Sequence, residues 1–573
     1  MSVRCKYWFF CMLCITSLPL FSQNMYLELN LNEPAGSSLF ASPKLPLDLL
    51  RVVEKAANDN KVKGIILNIG SLSGIGNSRD HLWELRNVLE KFKSGNGENK
   101  KKIIAYINYA DMDVYCLASV ADKIVMNELG TLNLTGYSVS MNYVQNTLEK
   151  LGIGVRELRY FEYKTASDMF TRNSISDADR RQYNDYLDDI FYYTRDKLKT
   201  ARNWTDAEFD NILSYNYFHS AKSALENGLI DSIGRKDAVL EVLKNLEDAK
   251  IDSFAIYGEI ESSLTREQRI YSPRKSGDLF KRSSRIALVY ANGQTDMVSG
   301  MAILSLSNTI RELADSKRVK AIVVRINSPG GSADAADYFS EAVRYAKQKK
   351  PVVISMGQVA ASGGYWAALN SSHIFATPYT ITGSIGVIAT WFYDNGLYEK
   401  AGLNTQTLKR GEHADLYTGF LIPYRDFTAQ EEDQYKNYIL DIYSVFTGKV
   451  AVGRNMDIDK VEAAAQGRIF SGLRAFDAGL IDSIGGLSDA LNLARSLAGI
   501  PQDGKVRYDE YPKPKFYERM LNQFPFVSVL KRIFSGKNSS DTASMLAEIF
   551  IPYADLRYRL QKNGDVMPIL PLR

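Results

Sequence analysis

The residues best suited to covalent chemistry in this chain are one serine and one lysine that lie far apart in the sequence. Ser362 stands in a small, glycine-rich run from Ala360 to Tyr365, directly after a strand-like segment. Its small neighbours leave room for a substrate, and the N–H of Gly363 can help to bind an oxyanion. The same run is also compatible with a helix N-cap, because serine is favoured at that position.

A serine nucleophile needs a base, and Lys164 is the candidate that the sequence favours. A lysine acts as a base near neutral pH only where burial lowers its pKa. Its segment is rich in large apolar and aromatic side chains that could supply this burial, namely Tyr160, Phe161, Tyr163, Met169 and Phe170.

Histidine is the rival base, and the chain contains four histidines, His81, His219, His373 and His413. His373 begins a predicted strand and has a structural interpretation. His413 lies in the second-copy counterpart of the lysine segment. A Ser–His enzyme therefore remains an alternative.

These candidates stand out because the chain is an internal duplication. The heptapeptide Gly-Leu-Ile-Asp-Ser-Ile-Gly occurs at Gly228–Gly234 and again at Gly479–Gly485, about 250 residues later. Asn60–Leu67 resembles Ser316–Val324 at a similar spacing. A repeat of this length predicts two related copies of one structural unit.

The two copies differ where chemistry is expected. When they are aligned on a shared tyrosine, Ser362 corresponds to Met112 in the first copy. No lysine stands opposite Lys164, since the aligned residues 414–416 are Ala, Asp and Leu. A dyad divided between the copies explains both differences.

A second difference concerns a glycine loop. Asn327–Gly331 reads Asn-Ser-Pro-Gly-Gly after a predicted strand, whereas the first copy has Gly70–Gly74, Gly-Ser-Leu-Ser-Gly. A Pro-Gly-Gly loop leaves backbone N–H groups free to point at an anion, although a plain turn has the same composition.

Composition excludes several classes of protein. The 573 residues carry a net charge of +4, too small a basic excess for a nucleic-acid-binding protein. Cys5, Cys11 and Cys14 lie at the extreme N-terminus and only Cys116 lies in the body, so the body has no disulfide framework and no cysteine metal site. Residues 1–22 combine basic residues with an uncharged, mostly apolar stretch, which predicts a signal peptide or a short membrane anchor.

Each copy alternates β-branched runs with amphipathic stretches, which predicts an α/β fold with parallel sheets covered by helices. The predicted strands are Val62–Ile69, Ile103–Ile107, Ile124–Met126, Val319–Ile326, Val352–Met356 and Ile374–Ala376. Tyrosine-rich helices are predicted over Tyr183–Leu198 and Tyr435–Val450, and a short apolar helix over Phe526–Phe534. The predicted organisation is residues 1–22, a first repeat over 23–260, a linker over 261–284, a second repeat over 285–500 and an extension over 501–573.

The chain resembles the long, tandem-repeat form of the signal peptide peptidase A family, serine proteases of the S49 type. The motifs behind this resemblance are Asn-Ser-Pro-Gly-Gly, Met-Gly-x-x-Ala-Ala-Ser-Gly-Gly-Tyr, Thr-Gly-Ser-Ile-Gly-Val and Tyr-Lys-x-Ala. The resemblance implies Ser362 as nucleophile and Lys164 as base. It also implies that Ser384 contacts the lysine and that the backbone N–H groups of Gly331 and Gly363 bind the oxyanion.

The same resemblance implies a Clp/crotonase-like fold and no metal or organic cofactor. It implies a homo-oligomer, a tetramer in related proteins, that degrades remnant signal peptides on the periplasmic side of the inner membrane. Two alternatives from other classes remain: a crotonase-like acyl-CoA enzyme and a catalytically silent membrane scaffold.

Overall fold

The structure is a computed structural model that describes residues 24–31, 47–70, 78–95, 100–247, 254–258, 269–270, 284–501 and 504–513. The predicted N-terminal segment 1–22 and the predicted helix Phe526–Phe534 lie outside these residues. Within them, no helix combines the length and the apolar character needed to cross a bilayer.

The first copy contributes nine strands and nine helices to the described residues. They are β1 (Asn24–Asn30), α1 (Leu47–Ala57), β2 (Val62–Ile69), α2 (Arg79–Ser94), β3 (Lys102–Ala110), α3 (Met112–Ala118), β4 (Lys123–Asn133), α4 (Gln145–Leu151), β5 (Ile153–Arg159), α5 (Asp168–Thr171), α6 (Asp177–Arg202), α7 (Asp206–Tyr215), β6 (Phe218–Ser220), α8 (Ala221–Glu226), β7 (Ser232–Ile233), α9 (Lys236–Glu247), β8 (Phe254–Gly258) and β9 (Arg269–Ile270).

The second copy repeats this order with small differences. Its elements are β10 (Ser284–Asn292), α10 (Ile303–Asp315), β11 (Val319–Ser328), α11 (Ala333–Lys347), β12 (Val352–Ala361), α12 (Gly363–Trp366), β13 (His373–Ala376), β14 (Ile381–Gly383), β15 (Ile388–Asp394), α13 (Leu397–Lys400), α14 (Ala429–Arg454), α15 (Ile458–Ala464), β16 (Ile469–Ser471), α16 (Gly472–Asp477), β17 (Ser483–Ile484), α17 (Leu487–Leu497) and β18 (Val506–Tyr511).

Each copy builds one mostly parallel sheet, which confirms the predicted α/β class. The first sheet has the order β6-β4-β3-β2-β1-β8-β9, and the second has the order β16-β14-β12-β11-β10-β18. The six predicted strands all lie within observed strands. Their runs are apolar on both faces because helices cover parallel strands on both sides.

Each sheet is extended beyond its first strand by a segment from the end of its copy. β8 pairs with β1, and β18 pairs with β10, both in parallel. β18 lies inside the predicted extension 501–573, and β9 lies inside the predicted linker 261–284. Short pieces of both segments therefore belong to the sheets.

The two copies interlock through a ribbon and a helix. β5 of the first copy pairs antiparallel with β15 of the second. The long helix α6 lies against β16, where Asp189 accepts hydrogen bonds from Ser471 Oγ and Arg474 Nε at 2.5 and 2.8 Å. These contacts bring the segment after β5 to the end of β12, which is where both predicted catalytic residues are located.

Candidate active site

Ser362 sits in the sharp turn between β12 and the short helix α12. Its backbone φ of 54° lies in the left-handed region, which residues other than glycine rarely adopt, so the backbone is strained at this position. Gly330 approaches it so closely that a Cβ there would lie 2.7 Å from the Cβ of Ser362. Ser362 occupies the N-cap position of α12, but its side chain makes no capping hydrogen bond. The hydroxyl is thus left available for another partner.

Lys164 is located in the tight turn that follows β5. Its backbone N–H donates to Phe161 O at 3.3 Å, and the N–H of Tyr163 donates to Gln466 O of the second copy at 2.9 Å. Gly467 has a φ of +82°, and a Cβ there would lie 2.5 Å from the Cβ of Lys164. Only glycine therefore lets the second copy pack this closely on the lysine turn.

The two side chains meet within one chain. Lys164 Nζ lies 2.9 Å from Ser362 Oγ, within hydrogen-bonding distance. The same nitrogen lies 2.8 Å from the carbonyl oxygen of Ser384 and 2.9 Å from its Oγ. The serine of the second copy and the lysine of the first are thus brought together with Ser384.

Burial controls the charge of the lysine. Lys164 is only 5% exposed. Removal from water disfavours the ammonium form and lowers the pKa of Lys164 to about 7, and no charged neighbour opposes this shift. A neutral amine has two N–H donors for the two oxygens of Ser384. Its lone pair then faces the hydroxyl of Ser362, which is the arrangement that a base requires.

The second copy supplies part of this burial. A Cβ at Gly386 would lie 3.3 Å from Cδ of Lys164. Among the aromatic residues expected to bury it, Phe161 stacks on Tyr443 at 4.0 Å between ring centroids, and Phe170 packs edge-on against Phe392. Both rings thus help to fasten the lysine segment to the second copy.

Ser384 is held by the backbone on both sides of β14. Its φ of 51° is also in the left-handed region, and its N–H donates to Arg468 O at 2.7 Å. The preceding Gly383 accepts from the N–H of Ser362 at 2.8 Å. Ser362 and Ser384 are therefore kept in register by the pairing of β12 with β14.

The two predicted oxyanion donors lie side by side beyond the ends of β11 and β12. A Cβ at Gly363 would lie 3.4 Å from the N of Gly331, so the two backbones are in contact. Neither N–H donates to an acceptor among the described residues, which leaves both free for a substrate oxygen. Gly331 has a φ of +145°.

Thr295 is a residue of this region that the sequence comparison missed. It is buried behind both glycines, its N–H donates to Gly330 O, and its carbonyl accepts from the N–H of Ser332, each at 2.8 Å. A Cβ at Gly363 would lie 2.6 Å from its Oγ1. No motif marks Thr295, because it stands alone in a turn after β10.

Gln182 on α6 is a second residue that the sequence did not single out. Its Nε2 donates to Thr165 Oγ1 at 2.9 Å, and its Oε1 accepts from the N–H of Ile469 at 3.2 Å. Asp179 also contacts Thr165 and accepts from Gln182 at 2.7 Å. This buried network ties the lysine turn to β16 of the second copy.

The histidines have other partners. His413 lies 2.7 Å from Glu431, and His373 lies 3.1 Å from Ser483. Among the described residues, the side chain hydrogen-bonded to Ser362 Oγ is that of Lys164 alone. The geometry therefore favours lysine over histidine as the base.

Several known proteins are similar to this chain. The family profile described as "Peptidase family S49" matches residues 96–250 and 344–501. The chain is 32% identical to "Serine protease SPPA, chloroplastic" of Arabidopsis thaliana over 80% of this chain and 67% of that protein. It is 28% identical to "Protease 4" of Haemophilus influenzae over 80% of this chain and 74% of that protein. The solved structure of a ClpP1 mutant from Listeria monocytogenes aligns over 36% of this chain and 94% of the ClpP1 chain. The two are 16% identical in sequence, and the TM-score is 0.25.

Proposed function

The chain belongs to peptidase family S49 and is a serine protease, and we propose that it hydrolyses peptides with a dyad of Ser362 and Lys164 shared between its two repeats. The observation that carries this proposal is the 2.9 Å contact between Lys164 Nζ and Ser362 Oγ. The lysine is buried and its pKa is lowered to about 7, which supports its role as a base.

In the proposed mechanism, the neutral amine of Lys164 takes the proton of Ser362 as Oγ attacks the peptide carbonyl carbon. The carbonyl oxygen becomes an oxyanion that accepts hydrogen bonds from the N–H groups of Gly331 and Gly363. One such donor contributes about 3 to 4 kcal/mol to lowering a barrier of this kind.

The second half of the reaction uses the same groups. The Lys164 ammonium donates its proton to the nitrogen of the leaving amine, and the C–N bond breaks. The regenerated amine then takes a proton from a water molecule as the water oxygen attacks the acyl-serine carbonyl carbon. The C–Oγ bond breaks, and the Lys164 ammonium returns the proton to Ser362 Oγ. Ser384 orients the amine throughout, because its carbonyl oxygen and its Oγ each accept a hydrogen bond from Lys164 Nζ.

We extend the proposal to substrate and location from the family resemblance. The substrates are remnant signal peptides and other short or unfolded peptides. The body works on the periplasmic side of the inner membrane as a homo-oligomer. The predicted segment 1–22 supports export. The repeat boundaries 23–260 and 285–500 are part of the same proposal.

An acyl-CoA enzyme is a weaker candidate. Such an enzyme shares the use of paired glycine N–H groups but typically has a carboxylate base. Here the group next to Ser362 is an amine. A silent scaffold is disfavoured because the serine, the lysine and Ser384 form one hydrogen-bonded cluster.

The dyad is tested with Ser362→Ala, Lys164→Ala and His413→Ala. We expect the first two to lose peptide hydrolysis by at least about 10³-fold, because removing either partner disables the pair. His413→Ala should retain most of the activity. The measurement is turnover of a fluorogenic peptide, together with fluorophosphonate labelling and mass spectrometric identification of the labelled residue. Substantial turnover by pure Ser362→Ala, or a label on another residue, would disprove the assignment.

A further inference from the structure

A short segment of the second copy, residues 466–468, contacts both the lysine turn and Ser384. Its first residue, Gln466, accepts a hydrogen bond at 2.9 Å from the N–H of Tyr163, which precedes Lys164. Its glycine lies so close to Lys164 that a Cβ there would fall 2.6 Å from the lysine backbone N. The carbonyl of its last residue accepts from the N–H of Ser384 at 2.7 Å. A shift of residues 466–468 would therefore displace the lysine and the serine that orients it together.

This segment has an unfavourable backbone conformation. Gln466 has a φ of 57°, and Gly467 follows with a φ of 82°. A glutamine rarely adopts a positive φ, and such a conformation persists only where the surrounding contacts enforce it. The contacts that hold Gln466 therefore also fix the position of the lysine turn.

The hydroxyl of Tyr443 on α14 is the group that holds Gln466. Its oxygen accepts from the backbone N–H of Gln466 at 3.3 Å and from Nε2 of the same residue at 3.2 Å. The hydroxyl donates to Glu462 Oε2 at 2.7 Å, and the other carboxylate oxygen accepts from Gln466 Nε2. Tyr443 is buried, and burial raises the pKa of its phenol, so the hydroxyl keeps the proton that it donates to Glu462.

Tyr443 also contacts the lysine turn directly. Its ring stacks on Phe161 with 4.0 Å between the ring centroids, and the carbonyl of Phe161 accepts from the N–H of Lys164. At the other end of residues 466–468, Arg468 pairs with Asp185 at 2.6 Å, but both of these side chains are about 30% exposed. Solvent-exposed ion pairs contribute little. The buried hydroxyl of Tyr443 is thus the stronger support.

The repeat provides an internal comparison for this hydroxyl. Helices α6 and α14 are both 26 residues long, and each is followed by an asparagine with a left-handed φ, Asn203 and Asn455. This alignment places Tyr443 opposite Phe191, which has the ring but no hydroxyl. The hydroxyl is therefore found only in the copy that contributes residues 466–468 to the site.

We propose that Tyr443 is a positioning residue of the dyad, which acts through Gln466 to hold residues 466–468 against Lys164 and Ser384. This inference rests on the proposed function, because it concerns the base of that reaction. Without the hydroxyl, the backbone N–H of Gln466 loses its acceptor and Glu462 loses a donor. Residues 466–468 then move, and water reaches the amine that they cover.

Tyr443→Phe tests this role, because it removes the hydroxyl and keeps the ring that stacks on Phe161. We expect kcat for a fluorogenic peptide to fall roughly 10- to 100-fold with little change in KM, because a small displacement of a catalytic group is costly. The midpoint of the kcat/KM profile should also move to higher pH. Water at the amine stabilises the ammonium form, which raises the pKa of Lys164.

Tyr438→Phe is the matched control. It makes the same chemical change on α14, at a tyrosine that is 63% exposed, and it should behave as wild type. Rates are expressed per site labelled by a fluorophosphonate at completion, so that unfolded protein does not lower kcat.

Two results would overturn the role of Tyr443. One is a kcat for Tyr443→Phe equal to that of wild type, and the other is a lowered kcat with an unchanged pH midpoint, which indicates only a structural contribution. Failure of the proposed function has a different signature, since Ser362→Ala would then retain turnover. A normal Tyr443→Phe beside inactive Ser362→Ala and Lys164→Ala would refute the positioning role alone.

Discussion

At the scale of single residues, the central feature is a lysine whose burial is energetically unfavourable when it is charged. A lysine in water has a pKa near ~10.4, so less than about 0.1% of it is neutral at pH 7. The pocket lowers the pKa of Lys164 to about 7 by desolvation, with no carboxylate to stabilise the ammonium. The pocket thus makes a large fraction of the amine available as a base at neutral pH.

This charge state predicts the pH dependence of catalysis. Only the neutral amine accepts the Ser362 proton, so kcat/KM should rise with pH and level off above a midpoint near 7, the pKa of Lys164. Ser384→Ala removes one acceptor of the amine and should lower the rate by roughly 10-fold without removing the nucleophile. Profiles of kcat/KM for wild type and Ser384→Ala check both points. A limb centred near ~10.4, with Ser384→Ala equal to wild type, would contradict the buried-base mechanism.

At the scale of elements, the position of the lysine depends on α6. This helix begins after Ser176, whose side chain accepts a hydrogen bond from the N–H of Asp179, and its first turns carry the residues that hold the lysine turn. Gln182 links that turn to β16 of the second copy. Farther along, Tyr186 donates to Tyr379 O at 3.0 Å and fastens α6 to the segment before β14.

The role of α6 is tested at Gln182. Gln182→Met keeps the side-chain size but removes the hydrogen bonds to Thr165 and Ile469. We expect kcat to fall roughly 10- to 100-fold with little change in KM, because a small displacement of a catalytic group is costly. Asn184→Ala, a change on the same helix away from this network, is the control and should behave as wild type. Equal losses in kcat and in thermal stability for both variants would indicate that Gln182 has only a structural role.

At the scale of the whole molecule, the two copies are joined by a buried ionic cluster that lies against β11 and β12. Arg325 on β11 donates to Asp80 at 2.8 Å and to Glu84 at 2.5 Å, both on α2 of the first copy. It also donates to Ser355 on β12 at 2.8 Å. Burial raises the pKa of Glu84, which also accepts from the N–H of Leu487 at 2.9 Å. The cluster therefore braces β11 and β12, the two strands that lead to Gly331 and to Ser362.

Replacing Arg325 by an uncharged residue should weaken the packing of the two copies on each other. Arg325→Met leaves two buried carboxylates without their counter-charge, and breaking such a pair typically costs about 3 to 5 kcal/mol. We expect a large drop in the free energy of unfolding, partly recovered when Asp80→Asn and Glu84→Gln are added. Lys91→Met breaks an exposed pair with Asp489 between the copies and should cost only about 0 to 1 kcal/mol. Denaturant unfolding curves make the comparison, and similar losses for Arg325→Met and Lys91→Met would refute the bracing role.

The sequence alone determined the duplication and the α/β class, and it pointed to Ser362 and Lys164 as candidates for the site. Strands that are buried on both faces consist mostly of apolar residues, so they can be recognised in the sequence. Sequence differences between the two copies draw attention to residues such as Ser362 and Lys164. The expectation that aromatic neighbours would bury the lysine was incomplete. Contacts from Gly386 and Gly467 of the second copy became visible only in three dimensions.

Only the tertiary structure showed which segments far apart in the sequence come into contact. The 2.9 Å contact between Lys164 Nζ and Ser362 Oγ and the supporting positions of Thr295 and Gln182 all involve segments far apart in the chain. Residue type and local spacing do not encode which segments approach. The pairing of β5 with β15 and the packing of α6 on β16 set those distances, because both arise from burying surface between the copies.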